Sequence, residues 1–277
     1  MSGGILPRRR RSRLRGLAAM SAVAALLGGC GGGSGQDGPK PGTRPSSPAS
    51  GMSPSAPRPP DGATPTSPFR ADPARVPGTA RQAQSLADTV TLRPQDWGRD
   101  FVAQSTSESR PGTAAVLDER CQWQRQKLPP GVLASLSRYS ELPGSAGRGT
   151  FKVTAVVTVH ATEAGADDQM ATTLEEVLRC PEQQVRADER ITQLMSAGSP
   201  YGRRQNHYAD DTLIEKGLYS SGEGTYEYRW LVHRLGTVTV AVALKGAKGY
   251  TTAEVEQFVV RAVLMLDRVQ AALKGQV

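Results

Sequence analysis

From Phe151 to His160 the chain alternates between apolar and polar positions. Phe151, Val153, Ala155, Val157 and Val159 fall on one face, and Lys152, Thr154 and Thr158 on the other. A period of two predicts a strand with one buried face. Two further runs, Tyr226–Arg234 and Thr237–Leu244, are rich in Val, Tyr, Trp and Thr, and only Leu235-Gly236 separates them. That spacing predicts a β-hairpin. Leu213–Tyr219 reads as another strand. The period then changes. Between Asp167 and Arg179, Met170, Leu174, Val177 and Leu178 form a helical stripe. Near the C-terminus, Val255, Phe258, Val259, Ala262, Val263, Leu266, Val269 and Leu273 continue that spacing behind Thr251 and Glu254, which fit a capping box. The pattern predicts an α+β fold: a mostly antiparallel sheet covered by helices on one face, with one long C-terminal helix.

The pattern is absent from the first third of the chain. Residues 31–80 hold 12 of the 20 prolines, and Pro, Gly, Ser and Thr fill 32 of those 50 positions. A segment this poor in apolar side chains cannot offset the entropy of ordering it. Residues 30–85 therefore read as a disordered tether, spanning about 40 Å as a coil. Residues 86–277 are left as a single globular domain with enough chain for a core of its own.

Charge follows the same division. The formal net charge of +8 suggests a nucleic-acid partner. However, residues 1–29 carry six Arg and no acid, the tether contributes +3, and residues 86–277 sum to −1. The excess lies outside the part that folds, so no nucleic-acid partner is expected. The Arg cluster instead precedes an apolar run of 11 residues, Leu17–Leu27, too short to span a bilayer and of the length of a signal-peptide core. The run ends in Leu27-Gly28-Gly29-Cys30, which resembles the lipobox of bacterial lipoproteins. That resemblance implies cleavage before Cys30, diacylglycerol on its sulfur and further acylation of the new amine. Residues 1–29 are then a lipoprotein signal peptide, and the expected partner is the membrane, through the lipid on Cys30. Arg10-Arg11-Ser12-Arg13-Leu14 resembles a twin-arginine export signal except at Arg13.

With Cys30 assigned to lipid, the remaining two of three cysteines, Cys121 and Cys180, form an even pair. A chain outside the membrane keeps disulfides, so a Cys121–Cys180 bond is expected.

The sequence holds no nucleophile elbow, zinc-protease helix or phosphate-binding loop, and no cofactor or metal is expected. Two stretches stand out as candidate ligand contacts. Residues 199–208 place Tyr201, Arg203, Arg204, His207 and Tyr208 in one loop-like segment, where Arg forks and Tyr rings suit an anionic ligand. Residues 245–252 bring Lys245, Lys248 and Thr251 to the start of the last helix, as an anion site requires. The same residues also suit a simple turn and N-cap.

The layout of lipobox, Pro-rich tether and cystine-bearing domain is similar to lipoproteins of high-GC Gram-positive bacteria. The domain's size, its order of strands and helices and its Cys121/Cys180 pair resemble the extracellular sensor domains of mycobacterial PknH-type receptor kinases. Those domains commonly carry two disulfides, whereas this chain can make one. The resemblance implies an α+β sandwich with a ligand groove and transfers no catalytic residue. The expected function is therefore a membrane-anchored, extracytoplasmic lipoprotein presenting a non-catalytic ligand-binding or sensor-like domain. The alternatives are a cell-envelope hydrolase and a scaffold that docks another envelope protein.

Overall fold

The computed structural model describes residues 69–197 and 209–275. Cys30, residues 1–29 and most of the tether lie outside them. The folded body begins earlier than residue 86. Phe69 and Ala71 pack against the core, and the first helix, α1 (Ala80–Val90), is capped at Thr79. A short helix, α2 (Pro94–Trp97), follows.

Eight strands form one antiparallel sheet. In chain order these are β1 (Val102–Glu108), β4 (Val132–Leu142), β5 (Phe151–His160), β6 (Gln183–Arg186), β7 (Glu189–Ser196), β8 (Asp211–Ser221), β9 (Gly224–Leu235) and β10 (Val238–Lys245). Their spatial order is β1-β4-β5-β10-β9-β8-β7-β6. The remaining two, β2 (Thr113–Leu117) and β3 (Trp123–Lys127), make a separate hairpin. The predicted β9–β10 hairpin is present, with Val238 opposite Leu235. Gly236 takes a φ of 57° in its turn, a left-handed value that favours glycine.

Alternation then assigns the packing. Phe151, Val153, Ala155, Val157 and Val159 of β5 share a core with Val238, Val240, Val242 and Leu244 of β10 and with the helices. Those helices are α1, α2 and the C-terminal pair α4 (Thr252–Val259) and α5 (Arg261–Leu273). The expected long C-terminal helix is present over residues 252–273, with one tighter turn at exposed Val260, where the Val263 amide bonds the Val260 carbonyl three residues back. Thr251 and Glu254 do form the capping box. The Phe151 ring is fully buried, with its centroid 5.1 Å from that of Tyr250 and 5.2 Å from that of Phe258.

Helices cover both faces of the sheet, not one. The helix α3 (Glu163–Arg179) lies on the opposite face and buries Met170 and Val177. It packs there against Ile191, Leu194, Tyr219, Tyr228, Val232, Ala241 and Ala243. This second face follows from β10, where seven residues in a row are buried, so both sets of its side chains require cover. The end of α3 is tied to the β2–β3 turn by the Cys121–Cys180 disulfide, with Cα atoms 5.5 Å apart. Cys121 itself has a left-handed φ of 59°. In the loop-entropy model a bond across 59 residues stabilises by about 4 kcal/mol.

Phe151→Ala removes the ring at the centre of the larger core. It should lower stability by about 3–5 kcal/mol in denaturant unfolding while leaving the fold intact.

Candidate functional site

The face under α3 curls into a concavity, and one ion-pair cluster shows how strongly. Glu189 opens β7 with its side chain only 4% exposed. It accepts hydrogen bonds from Lys152 Nζ of β5 and from Lys245 Nζ of β10, each at 2.9 Å. Lys152 and Lys245 are cross-strand neighbours. In the order of the sheet, β5 and β7 are four positions apart. In a flat sheet four positions measure roughly 19 Å, far beyond the reach of a lysine side chain. The sheet must therefore bend until β7 faces β5. At the far end, Gln122 bridges to Gln184 and Trp123 Nε1 donates to Gln183 Oε1 at 2.8 Å, which brings the β2–β3 hairpin against β6.

The electrostatics of the cluster are fixed by this geometry. Burial disfavours the Glu189 charge, but Lys245, with hydrogen bonds from Lys245 and Lys152, holds its carboxyl down at about 2. Burial lowers the Lys245 ammonium from its ordinary value, and Glu189 opposes that shift. Tyr219 lies below Lys245, with its ring centroid 5.0 Å from the ammonium. Burial, then the neighbouring Glu189 charge, pushes its hydroxyl up.

Beside this cluster lies a shallow cavity of about 180 Å³. Lys152, Asp188, Glu189, Tyr219, Glu223 and Tyr226 contribute to its lining. Asp188 and Glu223 are exposed, whereas Lys152 is partly covered. Tyr226 donates from its hydroxyl to the Glu223 carbonyl at 2.6 Å, which fixes the ring. The cavity thus offers groups of both signs, of which Lys152, Glu189 and Tyr226 are held in place by hydrogen bonds. Such a lining suits a small polar ligand that carries both charges.

Of the residues singled out from the sequence, Tyr201, Arg203, Arg204, His207 and Tyr208 lie outside the described residues. The second stretch does not converge on one ligand position. Lys245 turns inward to Glu189, while Lys248 is exposed. Thr251 Oγ1 accepts from the Glu254 amide at 3.3 Å. Glu254 Oε2 in turn accepts from the Thr251 amide at 2.9 Å, and Arg148 pairs with the same carboxylate at 2.6 Å. The helix N-terminus therefore already holds an anion, Glu254. Turn and cap chemistry accounts for Thr251, and Gly246 and Ala247 of the same stretch line the cavity.

Glu189 and Tyr219 were not apparent as functional residues, and Lys152 read as a solvent-facing strand residue. The polar half of the β5 alternation was the available signal. Among the described residues no group of three or more His, Cys, Asp or Glu could hold a metal ion, and no helix is long and apolar enough to cross a membrane.

No family model matches the chain, and no curated protein matches it in sequence. Its fold loosely resembles the extracellular domain of PknH from Mycobacterium tuberculosis, at 16% identity and a TM-score of 0.45, over 67% of this chain and 96% of that one. It is also similar to a putative uncharacterized protein, the Rv0999 ortholog, from Mycobacterium smegmatis. That match has 15% identity and a TM-score of 0.31, over 74% of this chain and 98% of the other.

Glu189 has a folded value below its unfolded one, so its stabilising contribution is present above about pH 4.5 and is lost as pH falls towards 2. Glu189→Gln should flatten the acid limb of a stability–pH profile over that window. Lys245→Met, which strands Glu189 with fewer cations, should cost about 3 kcal/mol at neutral pH.

Proposed function

We propose that this chain is an extracytoplasmic lipoprotein whose folded domain binds a small polar ligand and performs no catalysis. The observation that carries the reading is the cavity walled by Lys152, Glu189 and Tyr226 beside the buried ion-pair cluster. Its charges are preset by buried ion pairs, which suits recognition. They suit acid–base chemistry poorly. A carboxyl held at about 2 and gripped by two ammonium groups is a weak proton acceptor near neutrality. The Cys121–Cys180 bond supports a compartment outside the reducing cytosol. Leu27-Gly28-Gly29-Cys30 supports a lipid anchor on Cys30.

The full protein, extracted from its own membranes in mild detergent, tests both parts by native mass spectrometry. The expected result is a mature chain beginning at Cys30 with diacylglycerol mass on it, and a retained small molecule. That molecule should be lost in Lys152→Met and Tyr226→Phe variants and kept in Lys216→Met. A chain that carries nothing in any preparation, or a ligand indifferent to Lys152 and Tyr226, removes the binding reading. An unacylated Cys30 removes the anchor.

A further inference from the structure

The concave face holds a second group of acids, remote from the ion-paired cluster in its chemistry. Glu215 lies at the middle of β8 and is only 5% exposed. In register it sits opposite Trp230 of β9 and Ser196 of β7. The helix α3 packs over β5, β7, β8, β9 and β10, and its Val177, next to Glu176, packs in one cluster with Trp230, the cross-strand partner of Glu215. Neither carboxylate makes an ion pair among the described residues.

We propose that Glu215 and Glu176 form a proton-operated latch, which holds α3 against the sheet while both are uncharged and releases it when they ionise. Every neighbouring cation among the described residues has other work. Lys152 and Lys245 are committed to Glu189, and Arg234 pairs with Asp167 and Asp210. Arg179 is the one cation on α3 that opposes the effect of burial on Glu176, yet its Nη1 donates to the Asp118 carbonyl at 2.9 Å. The remaining titratable neighbours add no positive charge. Burial, and then Glu215, pushes the Tyr228 hydroxyl up. Tyr219 is likewise held up by burial and by Glu189. At the other end of α3, His160 bonds Gln169 at 2.7 Å, and burial lowers it below its ordinary value. It is therefore uncharged in the alkaline range.

The electrostatics agree with this arrangement. Burial, followed by the nearby Glu176, pushes Glu215 up to about 8, and burial pushes Glu176 up to about 7. Both folded values exceed the ordinary carboxyl value of 4.5, so the closed form holds more protons than the open one. The stabilisation is complete below about 4.5 and is lost as pH rises through 7 to 8. Release is partial by construction, because the disulfide keeps the Cys180 end of α3 attached to the β2–β3 turn. What loosens is the stretch of helix around Glu176 and Val177, which uncovers Leu194, Tyr228 and Trp230.

Hydrogen exchange on the oxidised protein tests the latch, with rates corrected for intrinsic pH dependence. Between about pH 6 and about pH 9, protection of amides in Glu163–Arg179 should fall tenfold or more, while that of β5 and β10 stays nearly constant. Glu215→Gln should keep α3 protected at the alkaline end. Glu176→Gln, at a half-buried position, should reduce the fall and serves if Glu215→Gln does not fold. The proposal is overturned if α3 protection in the wild type does not vary with pH. A Glu215→Gln or Glu176→Gln protein that loses α3 protection just as the wild type does overturns it equally.

Discussion

The bridge from Glu189 to Lys152 and Lys245 joins strands that a flat sheet would hold far apart, and the shape of the domain depends on it. A buried ion pair adds little net stability compared with apolar groups of the same volume, but stranding one partner is costly. An opened sheet would strip Glu189 of both lysines and leave it only Arg186, at 3.5 Å. Curling therefore does more than accommodate the pair: it is the arrangement in which no charge is left alone. Lys152 and Glu189, which the bend brings together, both line the cavity, so its position follows from the bend.

Two sheet faces then meet different needs. The face formed by Phe151, Val153 and their partners is apolar, and α1, α4 and α5 cover it by hydrophobic burial. The other face mixes Val232, Ala241 and Tyr228 with Glu189, Glu215, Lys152 and Lys245. Its cover, α3, rests on small apolar clusters and on polar groups that must be paired or neutral. This is the chemically adjustable side of the molecule. It is also the side fastened by the disulfide, which limits how far its cover can move.

Much of the first face was legible in the sequence. Strict alternation in β5, the Leu235-Gly236 turn and the Thr251/Glu254 cap each report a local constraint, and each stands in the structure. The cysteine pair was legible as well, because one cysteine was accounted for by its neighbours. What escaped depends on contacts distant in sequence. The strand β4 carries Ser135, Ser137, Arg138 and Ser140, all buried, so its pattern does not read as half apolar. Arg138 is tolerated there because it donates to the Asp88 and Thr91 carbonyls and to Glu108. Lys152 looked solvent-facing because nothing nearby reveals that Glu189, 37 residues on, folds over it. The cavity was hidden for the same reason: its walls come from four separate stretches of chain.

The point where the chain enters the domain distinguishes its two faces. Phe69 and Ala71 dock on the helical side, and the Asp72 amide donates to the Leu273 carbonyl at 2.8 Å, at the end of α5. The described chain therefore enters the domain on its helical face. That entry point joins the apolar layer that includes one face of β5 and β10. The face under α3 lies on the other side of the sheet from that docking point.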